Sequence, residues 1–209
     1  METVKVLLIA VGSYLLGSVS LSIFLSKRMF GGDVRAHGSG NAGATNMARV
    51  YGMMAGALTL AADMAKAAVS MIGGYLLLGD RGLAIGGAGC ILGHCFPVTR
   101  HFSGGKGLAA YGGMMLAYNP LIFVIVVLSG IGIMVLLDIG VAAPLLGTVM
   151  FPALTFLFSH DVPSTVCAVI ASVIILFTHL DNVNKTRAHS DVKVKNYFRD
   201  VLFKKKKET

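Results

Sequence analysis

The chain has 209 residues, of which 55% are hydrophobic and only 13% are charged, whereas about 25% of the residues in an ordinary soluble domain are charged. This composition excludes a soluble globular protein and predicts one integral membrane domain over residues 1–209, with residues 180–209 as a basic cytoplasmic tail. The formal net charge of +8 does not indicate a nucleic-acid partner, because most Lys and Arg flank apolar segments in the manner of cytoplasmic loops.

Long apolar segments alternate with short polar ones along the chain. Because a membrane-spanning helix needs about 20 predominantly apolar residues, the pattern predicts an all-α, polytopic membrane bundle. The polar segment near residue 100 and the chain after His179 are expected on the same side of the membrane, which requires an even number of crossings between them. Seven spans, with the N-terminus outside and the C-terminus inside, satisfy this condition, and five spans are the alternative. The apolar segments cover residues 4–25, 52–79, 82–97, 107–118, 120–137, 139–158 and 162–178.

The three cysteines, Cys90, Cys95 and Cys167, lie in or near apolar segments. Their number is odd, and the sequence has no CxxC or Cys/His spacing of the kind that binds zinc. We therefore interpret them as small hydrophobic residues. The sequence predicts no disulfide framework, no metal site and no cofactor.

The first polar cluster is the stretch HGSGNAGATNMARVYG, residues 37–52. Its glycines let the backbone turn, and backbone N–H groups at the start of a following helix suit an anion such as phosphate. Arg49 adds a charged guanidinium fork one turn later. The alternative is a flexible loop in which Thr45 or Asn46 caps the helix. The candidate substrate-binding residues of this cluster are Ser39, Gly40, Asn41, Thr45, Asn46 and Arg49.

The second cluster is GHCFPVTRHFSGGKG, residues 93–107. Lys106 lies among Gly104, Gly105 and Gly107 directly before an apolar segment, which predicts a second cradle for an anion. A Walker A loop is excluded because Gly107 follows Lys106 where that motif needs Ser or Thr, so we expect no nucleotide hydrolysis. His94 ends the preceding apolar segment and is a catalytic candidate. The alternative for His94 is a hydrogen-bonded histidine at the membrane interface.

The third cluster follows the last apolar segment, where His179 and Asn182 are three residues apart and share one helical face. Both are catalytic candidates, and an ordinary polar helix end is the alternative. Asp63 and Lys66 have the same spacing inside the second apolar segment. Because charges within a membrane are expensive and usually paired or functional, we expect a buried ion pair that orders the bundle. A direct contact of Lys66 with substrate is the alternative.

The predicted topology brings the three clusters to one side of the membrane. Together they hold Arg49, Lys106, two histidines and many neutral hydrogen-bond donors, with few carboxylates nearby. A cationic pocket at the lipid boundary favours an anionic and phosphorylated substrate. A small transporter of phosphate esters is a rival interpretation, but it requires a pocket at the midplane that opens to both sides.

These motifs resemble those of the bacterial acyl-phosphate:glycerol-3-phosphate acyltransferases. The stretch from Arg35 through GSGNAGATN to Arg49 is similar to the first cytoplasmic motif of that family, GHCFPVTRHFSGGKG resembles the second, and HLDN resembles the third. The order of spans fits along nearly the whole chain. Two departures stand out: Ser103 lies where the family usually has Lys, and residues 189–191 read His-Ser-Asp where it usually has Gly-Thr-Glu.

The resemblance implies transfer of a fatty acyl group from acyl phosphate to the 1-hydroxyl of glycerol 3-phosphate, giving lysophosphatidic acid and phosphate for phospholipid synthesis. It also implies a multi-pass protein of the bacterial inner membrane, surrounded by lipid, with its active site facing the cytoplasm. A paralogue with a different donor or acceptor is the alternative. The catalytic residues expected on this basis are Lys106, His94, His179 and Asn182, with Gly104, Gly105 and Gly107 binding substrate.

Overall fold

The computed structural model describes residues 1–188 and 193–194, and within this part of the chain it contains α-helices and short turns but no strand. This confirms the all-α prediction for the described residues. Residues 189–191 and most of the predicted basic tail lie outside them. The helices are α1 (Glu2–Gly17), α2 (Leu21–Phe30), α3 (Ala44–Tyr51), α4 (Met53–Cys95), α5 (Leu108–Tyr118), α6 (Pro120–Leu137), α7 (Ala142–Ser159), α8 (Val162–Thr178) and α9 (Leu180–Arg187).

The long helix α4 is a hairpin of two arms, residues 53–77 and 80–95. Its turn lies at Leu78 and Gly79, where Gly79 has φ 57° and ψ −144°, a conformation that a residue without Cβ adopts easily. The arms then pack backbone to backbone, because a Cβ placed on Gly82 would overlap the carbonyl of Gly74, and one on Gly86 would overlap that of Ser70. Small residues therefore let the chain reverse direction and pack tightly on itself.

Large apolar side chains lie both in the core and on the outer surface, as expected of a protein in lipid. Tyr111, Phe151 and Met71 are fully buried, and the hydroxyl of Tyr111 forms a hydrogen bond with Ser172 Oγ at 2.5 Å. In contrast, Leu136 and Leu76 are 84% and 78% exposed. Apolar side chains on the outside of a helical bundle are stable when hydrocarbon rather than water surrounds them.

Contacts between helix ends gather three polar segments, residues 18–52, 96–107 and 178–188, at one end of the bundle, called the polar end below. The hydroxyl of Tyr14, near the end of α1, donates to Phe96 O at 2.8 Å and accepts from Val98 N–H at 2.9 Å. Thr178, the last residue of α8, donates to Lys106 O at 2.9 Å. The first residues of α1 lie at the other end, where Glu2 pairs with Arg81.

Four helical segments of the described residues are long and apolar enough to cross a membrane, or five if α8 and α9, bent by 47°, form one span. By this criterion the predicted crossings 52–79 and 82–97 count as one segment, residues 53–100, which folds back on itself. Helix α5, with 11 residues, and α8 alone, with 17, are too short. Seven crossings, with the N-terminus outside, therefore stay a prediction.

Candidate active site

A buried cluster of charged and polar side chains lies inside the polar end. Lys66 Nζ is 2.8 Å from Asp63 Oδ1, and the two side chains are only 9% and 4% exposed. Lys66 Nζ also lies 2.7 Å from His94 Nδ1, while Asp63 Oδ1 is 3.4 Å from the same nitrogen. The expected ion pair is thus present, and it reaches a catalytic candidate on the other arm of α4.

The Gly-Gly-Lys-Gly loop docks on the end of α4. The N–H groups of Gly104 and Gly105 donate to the carbonyls of Cys95 and His94, both at 3.1 Å. A Cβ on Gly105 would overlap His94 Nε2, so only glycine fits against this edge of the imidazole ring. The structure therefore differs from the predicted anion cradle: these two N–H groups hold the loop in place instead of facing a ligand.

Gly107 ends the loop and begins α5. Its φ of 80° is in the left-handed region, and a Cβ there would lie 2.7 Å from both Cys95 Sγ and Ile175 Cδ1. Conformation and space thus both require glycine at this position.

Lys106 connects the second and third clusters. Its Nζ donates to Asn182 Oδ1 at 2.5 Å, and its carbonyl accepts the hydroxyl of Thr178. The pKa of Lys106 lies below 10.5, first because burial penalises the ammonium and then because Lys185 repels it. A hydrogen bond between residues 76 positions apart in sequence thus joins the second and third clusters around one ammonium.

His179 directly follows α8 and is 4% exposed. Its Nδ1 lies 2.8 Å from Ile175 O, and because a carbonyl can only accept, Nδ1 must carry the proton. Burial lowers the pKa of His179, against the opposing effect of this hydrogen bond, and Lys106 lowers it further. His179 is therefore a neutral imidazole near pH 7 whose Nε2 has a lone pair.

The first cluster is held together by Asn46, which is 2% exposed. Its amide nitrogen donates to Val34 O at 3.1 Å and His37 O at 3.0 Å, and its Oδ1 accepts from Ser39 N–H at 2.8 Å. The N–H of Gly40 donates to His37 O. Asn46 thus fixes the shape of the loop, and the N–H groups of Ser39 and Gly40 are engaged within it.

The start of α3 corrects one interpretation. Gly43 is the N-cap and no side chain caps the helix, so neither Thr45 nor Asn46 serves as the cap. Thr45 is exposed at the start of α3, Arg49 is half-buried in its last turn, and Asn41 lies in the loop before it. Gly56 of α4 packs against Ala48, which keeps this cluster at the polar end.

One carboxylate, Asp33, pairs with two of the basic residues near the first cluster. Asp33 Oδ2 lies 2.8 Å from Arg35 and 3.7 Å from Lys27, and its pKa is lowered to about 2, mainly by the Arg35 hydrogen bond. Arg100 donates to Ser18 O at 2.8 Å. Among the described residues, no group of three or more His, Cys, Asp or Glu is placed to hold a metal ion.

The sequence alone did not identify the contact between Lys66 and His94. The only sequence signal was a lysine inside an apolar segment, which marks a residue with a polar partner or a function. Its partner lies 28 positions away on the second arm of the hairpin. The turn at Gly79 brings the two together.

Comparisons with known proteins all point to one family. The family profile for glycerol-3-phosphate acyltransferases matches residues 7–189. A glycerol-3-phosphate acyltransferase of Geobacillus kaustophilus is 34% identical over 196 residues, covering 92% of this chain and 96% of the relative. That of Bacillus subtilis is 31% identical over 188 residues, covering 90% and 97%.

Two crystal structures of PlsY, an integral membrane glycerol 3-phosphate acyltransferase, have the same fold. The glycerol 3-phosphate form aligns with a TM-score of 0.83 at 28% identity, covering 90% of this chain and 94% of that one. The lysophosphatidic acid form aligns with a TM-score of 0.82 at 26% identity, covering 95% and 98%.

Proposed function

The chain belongs to the glycerol-3-phosphate acyltransferase family, and we propose that it transfers a fatty acyl group from an acyl phosphate to the 1-hydroxyl of glycerol 3-phosphate. The products are lysophosphatidic acid and inorganic phosphate. The observation that carries this proposal is the contact of Lys106 with Asn182, with His179 directly before α9 and His94 directly behind the loop. The PlsY forms with glycerol 3-phosphate and lysophosphatidic acid support the acceptor and the product.

The reaction needs little covalent chemistry from the protein. An acyl phosphate is an activated mixed anhydride, so positioning and charge stabilisation are the main requirements. The 1-hydroxyl oxygen attacks the acyl carbonyl carbon, the bond between that carbon and the phosphate oxygen breaks, and phosphate leaves with the bonding electron pair. The hydroxyl proton passes to a base or to a phosphate oxygen. We propose direct transfer without an acyl-enzyme.

Lys106 binds the donor phosphate and stabilises its charge as it leaves. An ammonium with a depressed pKa and a neutral amide partner keeps donors for phosphate oxygens. Asn182 orients Lys106, and the positive φ of Gly107 sets the direction of the loop. Arg49, Ser39 and Thr45 bind the phosphate and hydroxyl groups of glycerol 3-phosphate, with Gly40 and Asn41 shaping that side of the pocket.

Two groups are available to accept the hydroxyl proton: His179 Nε2 and a phosphate oxygen of the substrate. His179→Gln separates them, because it removes the basic nitrogen without removing a polar side chain. In wild type, protonation of the base should make kcat fall at acid pH. If this fall is lost in His179→Gln, His179 is the base. If the fall of kcat at acid pH persists in the variant, a phosphate oxygen of the substrate is the base.

The apolar exterior supports a location in the cell membrane, and we propose that the polar end faces the cytoplasm. The donor's long tail then stays in the hydrocarbon layer while its phosphate meets water-soluble glycerol 3-phosphate. Basic residues at this end agree with the excess of Lys and Arg found in cytoplasmic loops. Cysteine labelling of Ser39→Cys and Ser103→Cys in intact cells tests the orientation, and labelling from outside contradicts it.

The decisive assay uses purified protein in detergent with glycerol 3-phosphate and either palmitoyl phosphate or palmitoyl-CoA. We expect lysophosphatidic acid and phosphate from palmitoyl phosphate only. Activity restricted to palmitoyl-CoA would contradict the proposed donor. Uptake of glycerol 3-phosphate by proteoliposomes without acylation would instead identify a transporter.

A further inference from the structure

The further inference concerns the proton on His94, and it rests on the proposed function only for its catalytic consequence. We infer that Lys66, neutralised by Asp63, fixes His94 as a neutral imidazole with its proton on Nε2, so that His94 is a hydrogen-bond donor and not the general base. Lys66 and Asp63 are positioning residues in this arrangement. Neither belongs to the three polar clusters.

All three N–H donors of Lys66 have an acceptor. An ammonium has three N–H donors and no acceptor. Three acceptors surround Nζ: Asp63 Oδ1 at 2.8 Å, Val19 O at 2.9 Å and His94 Nδ1 at 2.7 Å. Each donor thus has one partner, and the third bond requires a lone pair on His94 Nδ1.

The charge balance supports the ammonium form of Lys66. A neutral amine would leave the carboxylate of Asp63 buried without a counter-charge, and an unpaired buried carboxylate is strongly destabilising. The competing arrangement, in which His94 Nδ1–H donates to Asp63, has the longer distance of 3.4 Å. Geometry and charge therefore both favour the Nε2–H tautomer.

The opposite edge of the ring is the one that faces the loop. Gly105 lies against His94 Nε2, and the hydrogen bonds of the described residues give this nitrogen no protein acceptor. In this proposal, the Nε2–H donates to an oxygen atom of a substrate bound beside the Gly-Gly-Lys-Gly loop. Such a donor stabilises negative charge that develops on the acyl carbonyl or on the departing phosphate.

His179 has the opposite tautomer. Its Nδ1–H donates to Ile175 O, which leaves Nε2 as an acceptor. The polar end therefore holds one imidazole that donates through Nε2 and one that accepts through Nε2. The two histidines are not interchangeable, although the sequence presents both as equivalent candidates.

The direct test is ¹⁵N NMR of the full-length protein in detergent micelles, labelled at histidine and measured near neutral pH. Protonated and unprotonated imidazole nitrogens have well-separated chemical shifts, and His94→Gln and His179→Gln spectra assign the two signals. We expect an unprotonated Nδ1 in His94 and a protonated Nδ1 in His179. A protonated Nδ1 in wild-type His94 overturns the inference.

Lys66→Met tests the cause. Without the ammonium, His94 Nδ1 is left facing Asp63, so we expect its signal to move to the protonated position. An unchanged His94 signal contradicts the role of Lys66. Because the single variant leaves Asp63 unpaired, the double variant Asp63→Asn, Lys66→Met provides a neutral alternative, in which we expect the averaged signals of mixed tautomers. Lys5→Met is the matched control, since Lys5 also donates to a carbonyl, Leu77 O at 3.3 Å, but at the other end.

Activity adds a readout that a merely structural role would not affect. The amide N–H₂ of His94→Gln supplies a donor near Nε2, whereas His94→Ala supplies none. We expect His94→Gln to keep a kcat at least about 10-fold above that of His94→Ala, a fraction of what one well-placed donor contributes. Equal loss in both variants contradicts the donor role. Failure of the acyl-phosphate assay in the wild type refutes the proposed function instead, and the tautomers measured by NMR do not depend on that result.

Discussion

Lys106 Nζ donates to Asn182 Oδ1 across 76 positions of sequence, so two polar motifs at separate helix ends form one structural unit. The bond orients the ammonium, while the carbonyl of Lys106 is held by Thr178. Side chain and backbone of this lysine are therefore both fixed by residues at the junction of α8 and α9. A preorganised cation needs little rearrangement when phosphate charge develops next to it.

Lys106→Ala should lower kcat by about 100-fold to 1000-fold, because one preorganised donor at a developing charge is lost. The fold should persist, since Lys106 lies in a loop outside the buried hydrophobic core. Phosphate release from palmitoyl phosphate measures the effect, and Lys5→Ala is the control. A kcat within a few-fold of wild type would remove Lys106 from the site.

Gly105→Ala should lower kcat by about 100-fold, because the added methyl group overlaps His94 Nε2 and small displacements of a catalytic group have large effects. Gly73→Ala is the matched control, since a Cβ there meets nothing within 4 Å and alanine favours a helix by up to about 1 kcal/mol. Thermal unfolding and activity are measured on both. A fully active Gly105→Ala variant would show that the ring can move without consequence.

The sequence predicted the three polar clusters and their shared location, because apolar segments, glycine turns and basic residues are local signals. It did not predict which backbone and side-chain groups of these clusters bond within the protein instead of facing a ligand. The N–H groups of Gly104 and Gly105 bond to carbonyls at the end of α4, and such pairing depends on how the loop folds back. Likewise, the difference between His94 and His179 arises from Lys66 and from Ile175 O, neither of which is visible from the spacing of the histidines.

The position of the hairpin turn was predicted from local signals. Gly79 and two charged residues lie at the boundary between the predicted apolar segments 52–79 and 82–97, and the observed turn lies at Leu78 and Gly79. The packing of the two arms was not predicted. Close contact of Gly82 with Gly74 and of Gly86 with Ser70 is a property of the packed pair of arms. Local signals therefore mark where the helix breaks, and tertiary contact sets how the two arms pack.

Asn46→Ala should destabilise the first cluster and raise KM for glycerol 3-phosphate. The variant leaves Ser39 N–H without its acceptor and removes one of the two donors to Val34 O and to His37 O. Each lost hydrogen bond contributes about 0.5–1.5 kcal/mol to stability. We expect a lower unfolding temperature and a KM that rises more than kcat falls. Asn184→Ala on the exposed face of α9 is the control. Unchanged stability and KM would show that Asn46 is dispensable for the loop.

The pH dependence of donor binding should reveal Lys106. Because burial and Lys185 lower its pKa below 10.5, the ammonium loses its proton at a lower pH than a free lysine does. As pH rises through that lowered pKa, attraction for the phosphate of palmitoyl phosphate weakens, and KM for the donor should increase. The measurement is KM for palmitoyl phosphate between neutral and alkaline pH.

Two variants test whether Lys106 causes this rise of KM at alkaline pH, called the alkaline limb below. In Lys106→Arg the guanidinium stays protonated throughout the range, so the limb should disappear even where kcat is reduced by the changed geometry. In Lys185→Ala one repelling charge is gone, so the pKa of Lys106 should rise and the limb should move to higher pH. If the limb has the same midpoint in wild type and in Lys106→Arg, another group titrates, and the donor phosphate does not depend on the charge of Lys106.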